Sequence, residues 1–219
     1  MAAPLRVIVF GKQGSGKGTL ASRLSTQLGI PHISTGDMLR AAAASGSEFG
    51  KQVAAIIDDG KLVDDATMEG VVTGRLAESD AQAGFILDGY PRTKGQAEFL
   101  DDLLAPEGIS VVIELEVADE VVVRRIVDRR TCESCASVYA LGADESADSG
   151  VCAKCGGAVV KRGDDTDAKV QTRLDAFREQ TEPLIGYFAE QGVLERVDGV
   201  GDPDEIAAGV VALIRARQG

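Results

Sequence analysis

The chain has 219 residues, with 23 lysines and arginines against 35 aspartates and glutamates, so its formal net charge is −12. Hydrophobic residues make up 44% of it and charged residues 26%, which is ordinary for a soluble globular protein. A pI near 4.6 argues against a general nucleic-acid binder, which would carry a basic surface. Any anionic ligand must therefore be held by local positive groups against a repulsive overall field.

The length fits one domain with insertions, because domains average roughly 100–200 residues. No apolar run approaches the roughly 18 residues that a membrane span needs. Residues 1–6 have no basic region, and the apolar run at residues 5–10 is too short for a signal peptide. We therefore expect a cytoplasmic protein that binds neither membranes nor nucleic acid.

Short apolar runs alternate with helical patterns along the chain. Strands are expected at residues 5–10, 85–87, 111–113 and 193–197, and helices at residues 19–28, 66–77, 96–104, 120–130 and 204–217. Buried strands that alternate with helices form parallel sheets covered on both faces, so the sequence predicts an α/β fold. Two stretches, residues 35–63 and 131–161, break the alternation and are interpreted as insertions.

A glycine-rich segment follows the first apolar run. Gly11, Gly16 and Lys17 match the start of the phosphate-binding P-loop pattern, in the strand–loop–helix order that it requires. Glycines let backbone N–H groups point at phosphate oxygens, while the helix N-terminus and Lys17 add positive charge. Gly18 stands where the strict pattern has Ser or Thr, and Thr19 follows. A glycine-rich turn without a ligand is the alternative.

The cysteines form two Cys-x-x-Cys pairs separated by sixteen residues: Cys132, Cys135, Cys152 and Cys155. This spacing suits four thiolates around one Zn²⁺. With every position filled by sulfur, no place remains for an activated water, so the metal would be structural. Residues 131–161 have no long apolar run and would need such a metal to hold them together. Two disulfides, or a redox-active pair, are the alternatives.

Further motifs follow the loop variant Gly-Lys-Gly-Thr along the chain. They are residues 33–40 (ISTGDMLR), Gly60-Lys61-Leu62-Val63, residues 88–93 (DGYPRT) with Gln96, residues 125–130 (RIVDRR), Arg162 with Asp164 and Asp165, Arg173, and residues 183–187 (PLIGY). In this order they resemble the adenylate kinases, specifically bacterial ones with a long lid, from residue 5 to about residue 217. The resemblance implies a P-loop nucleoside monophosphate kinase fold, a parallel sheet flanked by helices. Its core would be residues 1–34, 64–128 and 164–219, with an AMP-binding insertion at residues 35–63 and a zinc-bearing lid at residues 129–163.

The resemblance also implies the reaction, a reversible Mg²⁺-dependent phosphoryl transfer from ATP to AMP that gives two ADP, carried out by a monomer. The residues implied to be catalytic are Lys17, Asp88, Arg92, Arg129, Arg162 and Arg173. Those implied to bind ATP are Gly14, Ser15, Gly16, Lys17, Gly18, Thr19, Arg125, Arg129, Val138, Tyr139 and Gly201. Those implied to bind AMP are Thr35, Arg40, Lys61, Leu62, Val63, Gly89, Tyr90, Pro91, Arg92, Gln96, Arg162 and Arg173.

These residue types suit the chemistry. Phosphoryl transfer needs positioning, charge neutralisation and exclusion of water, and guanidinium groups bind phosphate bidentately. Asp88 ends an apolar strand at the sheet edge where ligands of α/β proteins bind, so we expect it to hold Mg²⁺ through water, with Thr19 nearby. A helix N-cap is the alternative for Asp88, and equally for Thr35. Arg125 and Arg129 are expected to share a helix face, although a single arginine in an acidic protein is often only a surface ion pair.

The remaining expectations concern specificity. Gln96 is expected to hydrogen-bond the adenine edge of AMP, and His32 to have a structural role. Gln13 replaces the proline usual in the loop, Ala140 the usual lid histidine, and residues 144–148 the usual Pro-Pro-Lys stretch. The alternatives are another nucleoside monophosphate kinase, a GTP:AMP phosphotransferase, and a zinc-ribbon nucleotide-binding module without turnover.

Overall fold

The structure, a computed structural model, describes residues 4–59, 61–163, 165 and 167–218, so Gly60 and Asp164 of the motifs above lie outside it. The strands are β1 (Leu5–Phe10), β2 (His32–Ser34), β3 (Gly84–Asp88), β4 (Val111–Glu116), β5 (Arg129–Cys132), β6 (Val138–Ala140), β7 (Val159–Val160) and β8 (Leu194–Asp198). The helices are α1 (Lys17–Leu28), α2 (Thr35–Ala44), α3 (Glu48–Asp58), α4 (Asp65–Leu76), α5 (Lys94–Leu104), α6 (Asp119–Asp128), α7 (Glu145–Ser149), α8 (Asp167–Ala176), α9 (Leu184–Glu190) and α10 (Pro203–Gln218). Within these described ranges, none of the helices is long and apolar enough to cross a membrane.

A five-stranded parallel sheet, in the order β2-β3-β1-β4-β8, forms the centre of the molecule. Successive strand residues point to opposite faces. Val7 and Val9 of β1 therefore pack in one apolar cluster with α1 and α10, and Ile8 and Phe10 pack in another with α4, α5 and α9. Helices cover both faces of the sheet, which confirms the predicted fold class.

The ends of two elements differ from the sequence expectations. Helix α1 begins at Lys17, two residues early, because Gly16 takes a left-handed φ of 104° and forms its N-cap. Helix α6 ends at Asp128, so Arg129 is not helical; its backbone pairs with Ala140 at the start of β5. The expectation that Arg125 and Arg129 share a helix face is therefore wrong.

Residues 35–63 carry two helices, α2 and α3. The side chain of Ser34 caps α2 by accepting the Asp37 N–H at 3.2 Å. The alternative role of Thr35 as the cap is therefore wrong, because Thr35 already lies inside the helix and its hydroxyl donates to the Asp88 carbonyl at 3.2 Å. Asp88 likewise ends β3, while Thr93 caps the helix that follows.

The lid sequence forms a second, antiparallel sheet in the order β6-β5-β7, with the short helix α7 beside it. Its buried cluster consists of Cys132, Cys152 and Val159, against which Tyr139 packs. This small cluster agrees with the low apolar content read from the sequence.

Candidate active site

The P-loop lies between β1 and α1 and is shaped by glycine. Gly14 has a φ of 81°, and a Cβ there would lie 2.7 Å from Cγ1 of Ile126, so no side chain fits. Ser15 Oγ is buried and has no hydrogen-bond partner among the described residues. A buried polar atom without a partner is costly, and a phosphate oxygen would satisfy it. The loop therefore has the features of an anion site.

Lys17 is the cation of this loop. Its Nζ donates to the Lys12 carbonyl at 2.6 Å. Burial lowers the pKa of Lys17 to about 8, the charges of Arg92 and Arg129 act in the same direction, and Asp88 opposes them. Positive charge is thus concentrated around Lys17, where an anion would stabilise it.

Arg92 shows the same effect on the other side of the site. Burial lowers the pKa of Arg92, and the neighbouring charges of Arg173 and Arg40 lower it further, while Asp88 raises it. Its Nε donates to the Gly89 carbonyl at 2.8 Å, which holds the guanidinium near the end of β3. Several arginines from different elements therefore lie close enough to repel one another.

The predicted AMP residues surround the end of β3. The ion pair of Arg40 with Asp37 holds the pKa of Asp37 below its usual value, although burial alone would raise it. Tyr90 is fully buried and donates from its hydroxyl to the Gln96 carbonyl at 3.3 Å. His32 begins β2 and lies 3.4 Å from Asp88 Oδ2 through its Nε2.

Gln96 is almost completely enclosed, with 2% of it exposed. Its Nε2 donates to Asp65 Oδ1 at 2.8 Å, and its Oε1 accepts the Arg92 N–H at 2.8 Å. Sequence reasoning missed Asp65, because the two residues are 31 positions apart and no local pattern joins them. The amide is therefore fixed before any base arrives.

Most of the predicted donor residues outside the P-loop come from α6, from β6 and from the loop before α10. Arg125 donates to the Ser15 carbonyl at 3.0 Å and to the Gly199 carbonyl at 2.9 Å, which ties the P-loop to the segment between β8 and α10. Val138 and Tyr139 line the same cleft from the lid, and Gly201 lines it from the loop before α10.

Both arginines at the ends of the lid have hydrogen-bond partners, and the partner of Arg129 lies outside the lid. Arg129 forms a bidentate ion pair with Asp165, at 2.8 Å from Nε and 2.5 Å from Nη2, and the Asp165 side chain is fully buried. Arg162 donates from Nε to Thr131 Oγ1 at 2.9 Å. Gln13 adds a long hydrogen bond of 3.4 Å to Asp165 Oδ1. The sequence marked Asp165 only as part of a motif with Arg162, and its pairing with Arg129 joins residues 36 positions apart.

The four cysteine sulfurs lie within 4.8 Å of one another. The distances are 3.5 Å from Cys132 to Cys155 and 3.6 Å from Cys135 to Cys152, far longer than the roughly 2.05 Å of a disulfide. All four are free thiols, so the pairs do not form two disulfides here. The cluster has the composition and size of a tetrahedral metal site.

A single cleft of about 1270 Å³ connects these regions. It is larger than the roughly 300–1,000 Å³ of a typical small-molecule pocket and suits two ligands side by side. Every residue that the sequence predicts for catalysis or for ATP or AMP binding lines it. The parallel sheet explains this convergence, because its strands end at the same edge.

The family model for adenylate kinase matches residues 9–193. The chain belongs to the adenylate kinase family. An adenylate kinase of Thermodesulfovibrio yellowstonii is 42% identical over 215 residues, which cover 97% of this chain and 100% of the relative. Those of Archaeoglobus fulgidus and Methanosarcina acetivorans are 43% and 44% identical over 212 residues, covering 96% of this chain and 98% of each relative.

The family settles the reaction class. Adenylate kinases are ATP:AMP phosphotransferases, so the predicted family and enzyme class are confirmed. The individual roles of the cleft residues stay predictions, and so does the identity of the metal at the cysteines.

Proposed function

We propose that this chain catalyses the reversible, Mg²⁺-dependent transfer of a phosphoryl group from ATP to AMP, giving two ADP. The observation that carries the proposal is one cleft with a P-loop on one side, a fixed amide on the other and repelling cations between them. Preorganised positive charge of this kind stabilises the charge that moves during phosphoryl transfer.

In this proposal the cations share the phosphates. Lys17 holds the terminal phosphates of ATP, with the backbone of the P-loop around them. Arg92, Arg129, Arg162 and Arg173 surround the transferred group. Arg92 also contacts the AMP phosphate in this proposal. Burial is the largest cause of its lowered pKa, and the nearby charges of Arg173 and Arg40 lower that pKa further. Binding of two nucleotides relieves the mutual repulsion that these groups suffer without ligand.

Mg²⁺ is proposed to enter with the nucleotide. The donor atoms fit a hard cation, because Asp88 and Thr19 offer oxygens and both residues line the cleft. A Cβ on Gly18 would lie 3.4 Å from Asp88 Oδ2, so this carboxylate lies against the start of α1 beside Thr19. When bound, Mg²⁺ supplies positive charge to the phosphate oxygens.

Each nucleotide has its own set of residues in this proposal. On the donor side, Arg125 acts beside Val138, Tyr139 and Gly201, which contact the base. On the acceptor side, Arg40 binds the AMP phosphate, and Thr35 and Gln96 contact the adenine. The backbone of residues 61–63 lines the base and ribose, and residues 89–91 complete the site.

The lid is proposed to hold one structural Zn²⁺ through Cys132, Cys135, Cys152 and Cys155, and to close over the nucleotides. Closure excludes water, which would otherwise take the phosphoryl group. We divide the chain into a core of residues 1–34, 64–128 and 164–219, an AMP-binding insertion of residues 35–63 and a lid of residues 129–163. The separate lid sheet supports this division. We further propose a cytoplasmic monomer. Four cysteines without disulfides suit a reducing compartment, and one chain supplies the whole cleft.

A coupled assay of ADP formation tests the proposal. AMP, GMP, CMP and UMP are each offered with ATP and with GTP, in the presence of Mg²⁺. We expect the highest kcat/KM with ATP and AMP. A higher value with GTP, or with another monophosphate, would favour one of the other kinases. Tight nucleotide binding with no ADP formation would favour the binding module.

A further inference from the structure

The orientation of the Gln96 amide is fixed by two hydrogen-bond partners, one that can only accept and one that can only donate. The carboxylate of Asp65, when ionised, can only accept a hydrogen bond, and the backbone N–H of Arg92 can only donate one. Their distances to Nε2 and Oε1 are both 2.8 Å. The amide nitrogen must therefore face Asp65, and the amide oxygen must face Arg92.

Asp65 is itself held in place. Its Oδ2 accepts the hydroxyl of Thr93 at 2.8 Å, while its Oδ1 accepts Gln96. Thr93 caps α5 by accepting the Gln96 N–H at 3.2 Å. Asp65 begins α4, so the carboxylate locks the first turn of one helix to the first turn of the next. It does not itself line the cleft.

A fixed amide distinguishes two classes of purine. After its two internal bonds, Gln96 keeps one N–H and one oxygen lone pair for a ligand. The edge of adenine presents a 6-amino donor beside an N1 acceptor. A 6-oxopurine presents the reverse, an oxygen acceptor beside an N1–H donor. The second pattern needs a flipped amide, whose oxygen would face the Asp65 carboxylate and whose nitrogen would face the Arg92 N–H.

We propose that Asp65 is a specificity-determining positioning residue, which makes the acceptor site select 6-aminopurine over 6-oxopurine monophosphates by preventing Gln96 from flipping. The inference rests on the proposed role of Gln96 in reading the AMP base. Asp65 acts through Gln96 and not on the substrate. A site built to match one hydrogen-bond pattern rejects the opposite one because buried polar groups are left unpaired.

The test compares AMP with inosine monophosphate, which differs only in its 6-oxo group and N1–H. In Asp65→Asn, the new amide can donate a hydrogen bond to the oxygen of a flipped Gln96. The repulsion between that oxygen and the Asp65 carboxylate is then removed, and only the mismatch with the Arg92 N–H remains. We expect the ratio of kcat/KM for AMP to that for inosine monophosphate to fall about tenfold or more. The fall should come chiefly from a lower KM for inosine monophosphate, with kcat for AMP nearly unchanged.

Asp64→Asn is the matched control. It removes the same charge from the same helix start. Among the described residues, the Asp64 carboxylate bonds only the N–H and hydroxyl of Thr67, at 2.9 and 2.8 Å, and Asn is an equally good cap. We expect the selectivity ratio of this variant to equal that of the wild type. Thermal unfolding is measured for each variant. If Asp65→Asn does not fold, Asp65→Ser replaces it, because a hydroxyl also donates or accepts.

The possible outcomes distinguish a failure of this inference from a failure of the proposed function on which it rests. Wild-type protein that uses both monophosphates equally well would overturn the role of Gln96 in base reading, and with it the inference. Wild-type protein that prefers AMP, together with Asp65 variants of unchanged selectivity, would overturn the inference alone. An equal loss of selectivity in Asp64→Asn would also overturn it, since charge at the helix start would then be the cause.

Discussion

The central sheet and the lid are ordered by different means. The central sheet lies between two large apolar clusters, and its strands β1, β3 and β4 are buried almost throughout. The hydrophobic cluster of the lid contains just three buried residues, Cys132, Cys152 and Val159, among those that the structure describes, while Val138 is 45% exposed and Leu141 42% exposed. Apolar burial stabilises the first region. The second buries little apolar surface and instead brings four cysteine sulfurs within 4.8 Å of one another.

The two regions also contribute different parts of the chemistry. The core supplies Lys17 and Arg92, whose positions follow from the ends of β1 and β3. The lid supplies Arg129 and Arg162 at its two boundaries, where the ion pair with Asp165 joins it to the rest of the site. Variants in each region should therefore fail in different ways.

The largest expected effect is on the core cation. We expect Lys17→Ala to lower kcat about 10²–10³-fold, since one preorganised charge at the reacting group is lost while the fold stays intact. Steady-state kinetics and circular dichroism measure the two effects. Lys12→Ala is the matched control, because Lys12 lies in the same loop but pairs with Asp119 and does not line the cleft. Equal losses in both variants would contradict the role of Lys17.

The second effect concerns the lid metal. Purified protein should contain one Zn²⁺ per chain, and Cys132→Ser should loosen the lid because structural zinc contributes roughly 10–16 kcal/mol in finger-sized peptides. Hydrogen exchange should rise across residues 129–163 while β1 and β4 stay protected. We expect a smaller loss of kcat than in Lys17→Ala, since no cysteine has a catalytic role in the proposal.

Ser149→Ala serves as the lid control, because Ser149 is exposed and its hydroxyl only accepts the Val151 N–H at 3.4 Å. Two native disulfides found by mass spectrometry, or four free thiols without zinc, would contradict the metal assignment. Rapid exchange in β1 and β4 of Cys132→Ser would contradict the separate stability of the core.

Most of the core could be predicted from sequence because its signals are local. The apolar runs of β1, β3 and β4 and the glycines before Lys17 each indicate their own structure within a few residues. The cysteine spacing likewise predicted the sulfur cluster. Prediction was weakest where the backbone conformation of a residue depends on pairing with a strand elsewhere in the chain. Arg129 looked helical by periodicity, yet its pairing with Ala140 makes it extended.

The same limit applies to the site. The motifs named the residues that line the cleft, because those residues belong to a recognised order along the chain. Their partners carried no such signal: Asp65 follows an ordinary capping aspartate, and the bond from Gln13 to Asp165 spans 152 positions. Partners that fix a functional group follow from packing, which a local pattern does not contain.

The third prediction concerns the pH dependence of the Lys17 charge, which should affect activity and stability in opposite directions. The pKa of Lys17 is lowered from 10.5 to about 8, chiefly by burial, so the free enzyme loses this charge above about pH 8. We expect kcat/KM for ATP to fall about tenfold per pH unit above that value, since kcat/KM reports the free enzyme. Stability should change the other way. Between about pH 8 and 10.5 the unfolded chain binds more protons at this lysine, so its contribution to stability rises with pH.

The control for this profile is Lys17→Arg, whose guanidinium stays charged throughout. Any activity it retains should show no fall between pH 8 and 9.5. A flat profile for the wild type would mean that Lys17 keeps its proton over this pH range. Its surroundings would then not lower its pKa.

The smallest effect is expected where the P-loop meets the lid boundary. Gln13→Ala removes a single hydrogen bond of 3.4 Å to Asp165, a carboxylate that Arg129 already holds by two shorter ones. A long, partly buried bond of this kind contributes at most about 1 kcal/mol, so kcat should change less than about fivefold. Gln82→Ala is the control, because its amide bonds the Leu76 carbonyl at 3.1 Å on the exposed surface. A tenfold loss of kcat in Gln13→Ala alone would show that the core and the lid are coupled through this residue, and that the two regions are less independent than their packing indicates.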